Sequence, residues 1–256
     1  MSELTESLGQ QAKFSVNILS IISSLKGRKE NPKDPKFYLI SEHGAPALPE
    51  LSEAEHAVIR RIIAPAFSQR ALKKQEPLFQ RLADMMVATI RDATRDRHET
   101  GVGMVKMFNL TTFDIMAELT FGEPLGLLEA SKYTPWVELV FKAFSFFPTS
   151  VTVHATTSYR DPNNFKDPGL FVPERWMGDL EYKNDKRDVR QPFSVGSRNC
   201  LGINMAWHEM RLLLAKVLYN LDLELCDESR DWIDQKVYLL WQKKPLMCRT
   251  IPVIRR

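Results

Sequence analysis

A chain of 256 residues with 44% hydrophobic and 26% charged residues has the make-up of an ordinary globular protein, with room for one or two sizeable cores. A net charge of +3 lacks the strong basic balance of a nucleic-acid binder, so no nucleic-acid partner is expected. The three cysteines, Cys200, Cys226 and Cys248, are odd in number and sparse, which excludes a disulfide framework and points to a reducing compartment.

Along the chain, Ser15 to Leu25 is the only apolar run near the start, and it is too short to span a bilayer. Neither a basic segment before it nor a small-residue cleavage site after it marks a signal peptide. The Gly-, Pro- and charge-rich stretch from Lys26 to Pro35 reads as a loop, and residues 1–48 form a variable N-terminal segment. Ser52 and Glu55 predict a reciprocally capped helix start, with Val58, Ile59, Ile62 and Ile63 as its apolar face. Pro65 and Ser68 end that helix. Pro77 suits the first turn of a second one, striped by Leu78, Leu82, Met85, Met86 and Ile90. A third helix is predicted from a cap at Asn109 to Gly122, and a fourth from Trp136 to Phe147, ending at Pro148.

The pattern then changes. Val151 and Val153 alternate with polar residues and predict a strand. A Pro- and Asp-rich stretch runs from Arg160 to Asp188. The longest clear helix is predicted between Leu201 and Leu221, with Met210, Leu213, Leu214, Val217, Leu218 and Leu221 along one side. Lys236 to Gln242 and Arg249 to Ile254 read as short strands.

The most informative segment is Pro192-Phe193-Ser194-Val195-Gly196-Ser197-Arg198-Asn199-Cys200-Leu201-Gly202. Cys200 lies just before the predicted helix, where free N–H groups and the positive end of the helix dipole favour a thiolate. Gly196 permits a tight turn, and Gly202 permits a flat group to approach the backbone. Arg198 can pair with a carboxylate, and Phe193 can shield the sulfur from water. Such a site suits a thiolate ligand to haem iron. A zinc site built on Cys200 and His208 matches no common zinc spacing.

Phe193, Gly196, Arg198, Cys200 and Gly202 together resemble the haem loop of the cytochrome P450 family, Phe-x-x-Gly-x-Arg-x-Cys-x-Gly. Flanking segments are similar to that family in the same order. Tyr159-Arg160-Asp161-Pro162 with Phe165 resembles the segment after the family's K helix. Phe171-x-Pro173-Glu174-Arg175-Trp176 resembles its Pro-Glu-Arg element. His56 to Arg61 and Ala64 to Ser68 resemble its C helix, and Phe108 to Asp114 with Thr120 to Pro124 resemble its E-helix region. Gln235-Lys236-Val237 and Lys244 to Met247 resemble C-terminal strands of fungal members active in secondary metabolism.

The resemblance implies a partial cytochrome P450 fold, mainly α with small β-sheets. Residues 49–148 form a helical block like helices C to F, and residues 149–256 a haem-loop block with the following helix and the last strands. It implies haem as cofactor, Cys200 as iron ligand, and His56, Arg60 and Arg198 at its propionates, with Phe193, Gly196 and Gly202 shaping the loop. An NADPH-dependent reductase and a lipophilic small-molecule substrate are the implied partners. The location stays open: with neither a signal peptide nor a transmembrane anchor read in the sequence, the alternatives are cytoplasmic or peripheral at the endoplasmic reticulum.

Two family landmarks have no counterpart in the sequence. No Ala/Gly-Gly-x-Asp/Glu-Thr run of the oxygen-activating I helix is present, and no Glu-x-x-Arg of the K helix occurs anywhere. Arg175 is therefore expected to lack its usual ion-pair partners. The seam lies near Phe147-Pro148-Thr149, and the N-terminal anchor is expected to be absent as well. Two readings stay open: a haem-dependent monooxygenase of fungal secondary metabolism, or a catalytically inactive truncated relative, whether pseudoenzyme, relic or incomplete gene model.

Overall fold

The computed structural model describes residues 46–96, 101–143, 158–237 and 241–253. The apolar run Ser15 to Leu25, the predicted strand at Val151 and Val153, and the end of the fourth helix lie outside these residues. The fold is mainly α with small antiparallel sheets, as expected. Contacts divide the chain into two interleaved units, Met1–Ile59 with Thr149–Leu201, and Arg60–Pro148 with Gly202–Arg256.

The first unit holds most of helix α1 (Glu53–Ile63) and a long irregular segment. Ser52 and Glu55 form the expected reciprocal cap: Glu55 N–H donates to Ser52 Oγ at 3.4 Å and Ser52 N–H donates to Glu55 Oε2 at 3.1 Å. The apolar face expected on α1 is not buried. Val58, Ile59 and Ile62 are exposed, and His56 is the one residue of this helix that is buried. Hydrophobic spacing identifies a face but not whether anything packs on it. The Pro- and Asp-rich stretch folds as successive turns around one short helix, α6 (Glu174–Met177).

The second unit is built on α2 (Gln69–Asp96), which at 28 residues is longer than the helix predicted to be longest. The start expected at Pro77 is corrected: the helix begins two turns earlier, and Pro77 sits inside it on the exposed side. Ser68 Oγ accepts from Ala71 N–H at 3.2 Å at the true start. Leu72 and Phe79 share the buried face, and their burial offsets the backbone hydrogen bond that Pro77 cannot make.

After β1 (Val102–Gly103), α3 spans Met104–Phe121 and ends as predicted at Gly122 in a left-handed conformation, φ 84°. The predicted cap at Asn109 is corrected too. Met104 N–H donates to the Leu246 carbonyl at 2.8 Å, so the helix needs no side-chain cap and starts earlier. Asn109 instead donates to Tyr133 Oη at 3.1 Å. Short α4 (Leu127–Ala130) and α5 (Pro135–Ala143) follow.

Helix α7 (Ile203–Asn220) packs on α2 and leads into β2 (Leu221–Leu225). Leu213, Val217 and Leu221 are buried, whereas Met210, Leu214 and Leu218, predicted on the same side, are exposed. The buried stripe is narrower than the sequence suggests: Leu213, Val217 and Leu221 join the main core, and the positions beside them stay exposed. A small hairpin pairs β3 (Lys236–Val237) with β4 (Trp241–Gln242). Strand β5 (Met247–Pro252) is the centre of the other sheet, flanked by β1 and β2, with Val102 opposite Cys248 and Leu221 opposite Pro252. Ala83, Met86 and Ile90 of α2, Leu110 of α3, Leu213 of α7 and Cys248 of β5 meet in the main core.

Candidate functional site

The cysteine loop belongs to the first unit. Cys200 is exposed and its thiol is free. The loop closes on itself: Cys200 N–H donates to the Phe193 carbonyl at 2.9 Å, and Asn199 N–H to the Gly196 carbonyl at 3.3 Å. The tight turn expected at Gly196 is present, with φ 91°, a conformation that disfavours any side chain. Ser194 shares the left-handed region at φ 61°. Phe193 is half-buried beside this closure. Cys200 therefore sits in the turn that leads into α7, presented by a loop with its own hydrogen bonds.

Arg198 is half-buried, and its Nη2 donates to the Leu51 carbonyl at 2.7 Å. This contact ties the cysteine loop to the segment that starts α1, the helix carrying His56 and Arg60 one turn apart. His56 is 6% exposed, and Arg60 is half-buried. At Gly202 an added Cβ would meet nothing within 4 Å, so that position is bordered by open space. The donor chemistry fits the haem that the sequence implies: a free thiol in the turn before a helix, with the Arg198 guanidinium two residues before it.

Sequence reasoning missed what holds this unit together. Arg175 is expected to lack its usual partners, and no Glu-x-x-Arg is present to supply them; its partner here is a different residue. Arg175 Nη1 forms an ion pair with Asp185 Oδ2, and the two side chains are 7% and 4% exposed. Arg175 Nη2 donates to the Lys166 carbonyl at 2.6 Å. The guanidinium lies over the rings of Phe165 and Tyr182, at 5.4 and 4.9 Å from their centroids. Asp185 sits in a charged, aperiodic run, Lys183-Asn184-Asp185-Lys186, that carries no signal for burial.

Two further features lie in the second unit. An open groove of about 670 Å³ runs between α2 and α7, with Lys73 and Glu76 on one side and Asn204, His208 and Arg211 on the other. His208 Nε2 approaches Glu76 Oε2 at 3.0 Å, and its ring stands edge-on to Phe79 at 4.7 Å. Glu209, on the buried side of α7, is 8% exposed, and burial alone pushes its carboxyl up to about 7. Its Oε1 has no hydrogen-bond partner among the described residues. Among the described residues no helix is long and apolar enough to cross a membrane, and no group of three or more acidic, His or Cys residues is placed to hold a metal.

A family model described as Cytochrome P450 matches residues 5–151 and 147–249. The two matches meet at the predicted seam. The chain is 27% identical to the cytochrome P450 monooxygenase efuB of Hormonema carpetanum, over 88% of this chain and 78% of that protein. It is 24% identical to the trichothecene C-4 hydroxylase of Trichoderma arundinaceum, over 97% of this chain and 86% of that protein. It is 41% identical to the cytochrome P450 monooxygenase olcB of Penicillium canescens, over 47% of this chain and 26% of that protein. The efuB alignment runs over 395 positions, more than the 256 residues of this chain, so efuB carries long stretches with no counterpart here.

Proposed function

The chain belongs to the cytochrome P450 family, and on that footing we propose that it is a haem-thiolate protein of fungal secondary metabolism whose iron ligand is Cys200. The family's cofactor is haem. The observation that carries the assignment is the free, exposed Cys200 thiol, held by the Cys200 N–H to Phe193 carbonyl closure at 2.9 Å in the turn before α7.

Each part of the loop then has a physical role. Cys200 would bind the iron through sulfur, oriented by a backbone that its own turn hydrogen bonds define. Phe193 would limit water beside the sulfur. Gly202 would let the flat ring system approach the backbone. Arg198, with Arg60 of α1, would supply positive charge for the two carboxylates of the cofactor, and His56 a ring N–H donor. When bound, haem supplies dioxygen activation with electrons delivered from outside. An NADPH-dependent reductase is the electron donor we propose, and a lipophilic small molecule the substrate.

Specific observations favour a second reading, in which this chain is a truncated, catalytically inactive member. The family match comes in two pieces that meet at residues 147–151, and the efuB alignment is much longer than the chain. No Glu-x-x-Arg occurs in the sequence. Met210, Leu214 and Leu218 on α7, and Val58, Ile59 and Ile62 on α1, are apolar side chains left exposed. These observations support a loss of coupled turnover.

One experiment tests both parts. The full chain is purified with haem, reduced under carbon monoxide, and then assayed with a fungal reductase, NADPH and a panel of lipophilic substrates. A thiolate-type carbonyl spectrum is expected, abolished by Cys200→Ala and retained in Cys226→Ala and Cys248→Ala. A thiolate spectrum that persists in Cys200→Ala would sink the ligand assignment. Substrate-dependent product at full haem loading would sink the inactive reading.

A further inference from the structure

We propose that Asp185 is a positioning residue for Cys200: by holding Arg175 in a buried ion pair, it sets the base of the loop that presents the thiol. The proposal rests on the assignment of Cys200 as ligand and goes beyond it to what keeps that ligand in place.

Arg175 lies inside the first unit, 6% exposed, where an unpaired charge is strongly unfavourable. The family element that would neutralise it, Glu-x-x-Arg, does not occur in this sequence. Asp185 supplies the counter-charge here, and both of its carboxylate oxygens are engaged. Oδ2 pairs with Arg175 Nη1, and Oδ1 accepts from Lys166 N–H at 2.8 Å. The neighbouring Lys186 N–H donates to the Asn164 carbonyl at 2.8 Å. Residues 164–166 and 185–186 are thus fastened side by side, and the guanidinium is clamped between them and α6, which carries it.

From that point the chain reaches Cys200 through an almost unbroken run of local hydrogen bonds. Arg187 N–H donates to the Asp185 carbonyl at 2.9 Å, and Val189 N–H to the Lys186 carbonyl at 3.0 Å. Val189 is 1% exposed and pins this turn. Gln191 Nε2 donates to the Asp188 carbonyl at 2.9 Å, and Ser194 N–H to the Gln191 carbonyl at 3.1 Å. The last link is Cys200 N–H to the Phe193 carbonyl at 2.9 Å. Each turn fixes the start of the next, so the register of the loop is set where Asp185 meets Arg175. Arg198 adds a second tether two residues before Cys200, to the Leu51 carbonyl at 2.7 Å.

The test is hydrogen exchange by mass spectrometry on the full chain, comparing the parent with Asp185→Asn and Asp185→Glu. Asp185→Asn keeps the shape and removes the charge. Amides from residues 187 to 201 are expected to exchange at least about tenfold faster in Asp185→Asn. Peptides of α2 and α3 should keep parental protection, and Asp185→Glu should recover part of the loss. On the haem-loaded chain, the thiolate fraction of the ferrous carbonyl spectrum should fall in Asp185→Asn. Unchanged exchange in residues 187–201 would overturn the proposal. So would an equal loss across the described first unit, because Asp185 would then stabilise the unit in general and not position the loop. Cys200→Ala separates the two ideas: a thiolate spectrum that survives it removes the ligand assignment, while the exchange of the loop still decides the role of Asp185.

Discussion

Asp114, buried in the middle of α3, holds the backbone N–H of Leu128 at 2.8 Å with one carboxylate oxygen and that of Leu127 at 3.1 Å with the other. Leu127 and Leu128 open the short helix α4, after Gly126 in the left-handed region at φ 66°. A helix of four residues cannot stabilise its own first turn, so the cap comes from a residue well before it in the chain. Both leucines are fully buried in the main core, and Asp114 therefore links two layers of it.

Asp114→Ala should lower the stability of the second unit by about 3 kcal/mol, since hydrogen bonds to an ionised group are worth about 1.5–3 kcal/mol each. Asp114→Asn keeps an acceptor and should lose about half as much. Urea denaturation followed by circular dichroism measures both. A loss below about 1 kcal/mol for Asp114→Ala would show that water replaces the carboxylate.

Glu209 makes stability depend on pH. Burial raises its carboxyl from the ordinary 4.5 to about 7. The folded chain therefore keeps a proton that the unfolded chain releases in that interval. The stability this proton provides is fully present below about pH 4.5 and is lost as pH rises to about 7, by about 3 kcal/mol. Glu209→Gln should flatten that part of the pH profile and make the chain more stable at pH 8. An unchanged profile in the variant would contradict the assignment.

Gly101 has φ 68°, and an added Cβ would lie 2.8 Å from Cys226 Sγ and 3.0 Å from the Cys248 carbonyl oxygen. Gly101→Ala should destabilise by about 1–3 kcal/mol through backbone strain, plus a further loss from the sulfur contact. Gly101→Ala/Cys226→Ala should recover the second part and not the first. Equal stability of the single and double variants would place the whole effect in the backbone.

The side chains assigned to the cofactor carboxylates can be removed one at a time. His56→Gln, Arg60→Gln and Arg198→Gln should each weaken haem retention by about 1.5–3 kcal/mol, read as faster transfer of haem to an acceptor protein. The class of the carbonyl spectrum should not change, because the ligand stays in place. A triple variant that retains haem as well as the parent would remove these residues from the site.

The apolar side chains left exposed on α1 and α7 give a further check. Ile62→Lys and Leu218→Lys, at 67% and 62% exposure, should change stability by less than about 0.5 kcal/mol. Both should reduce binding of a hydrophobic dye and self-association. A large stability loss in either would mean that the side chain packs against something after all.

Much of the site was legible because its signals are local. Phe193, Gly196, Arg198 and Cys200 lie within one short segment, and a turn with φ 91° at Gly196 or a reciprocal cap between Ser52 and Glu55 depends on neighbours in sequence. What the tertiary structure alone decided were matters of burial and long-range pairing. Helical spacing identifies an apolar face of Val58, Ile59, Ile62 and Ile63 but does not say that the first three stay exposed and only Ile63 is half-buried. Propensity placed a helix start at Pro77, and the burial of Leu72 and Phe79 carried the helix through it. Arg175 lacks the Glu-x-x-Arg partners expected of it, and nothing in the polar run around Asp185 marks that residue as the counter-charge. Bringing them together needs the chain to turn back between residues 166 and 185, and a charge becomes buried only when the fold supplies its counter-charge in the same place.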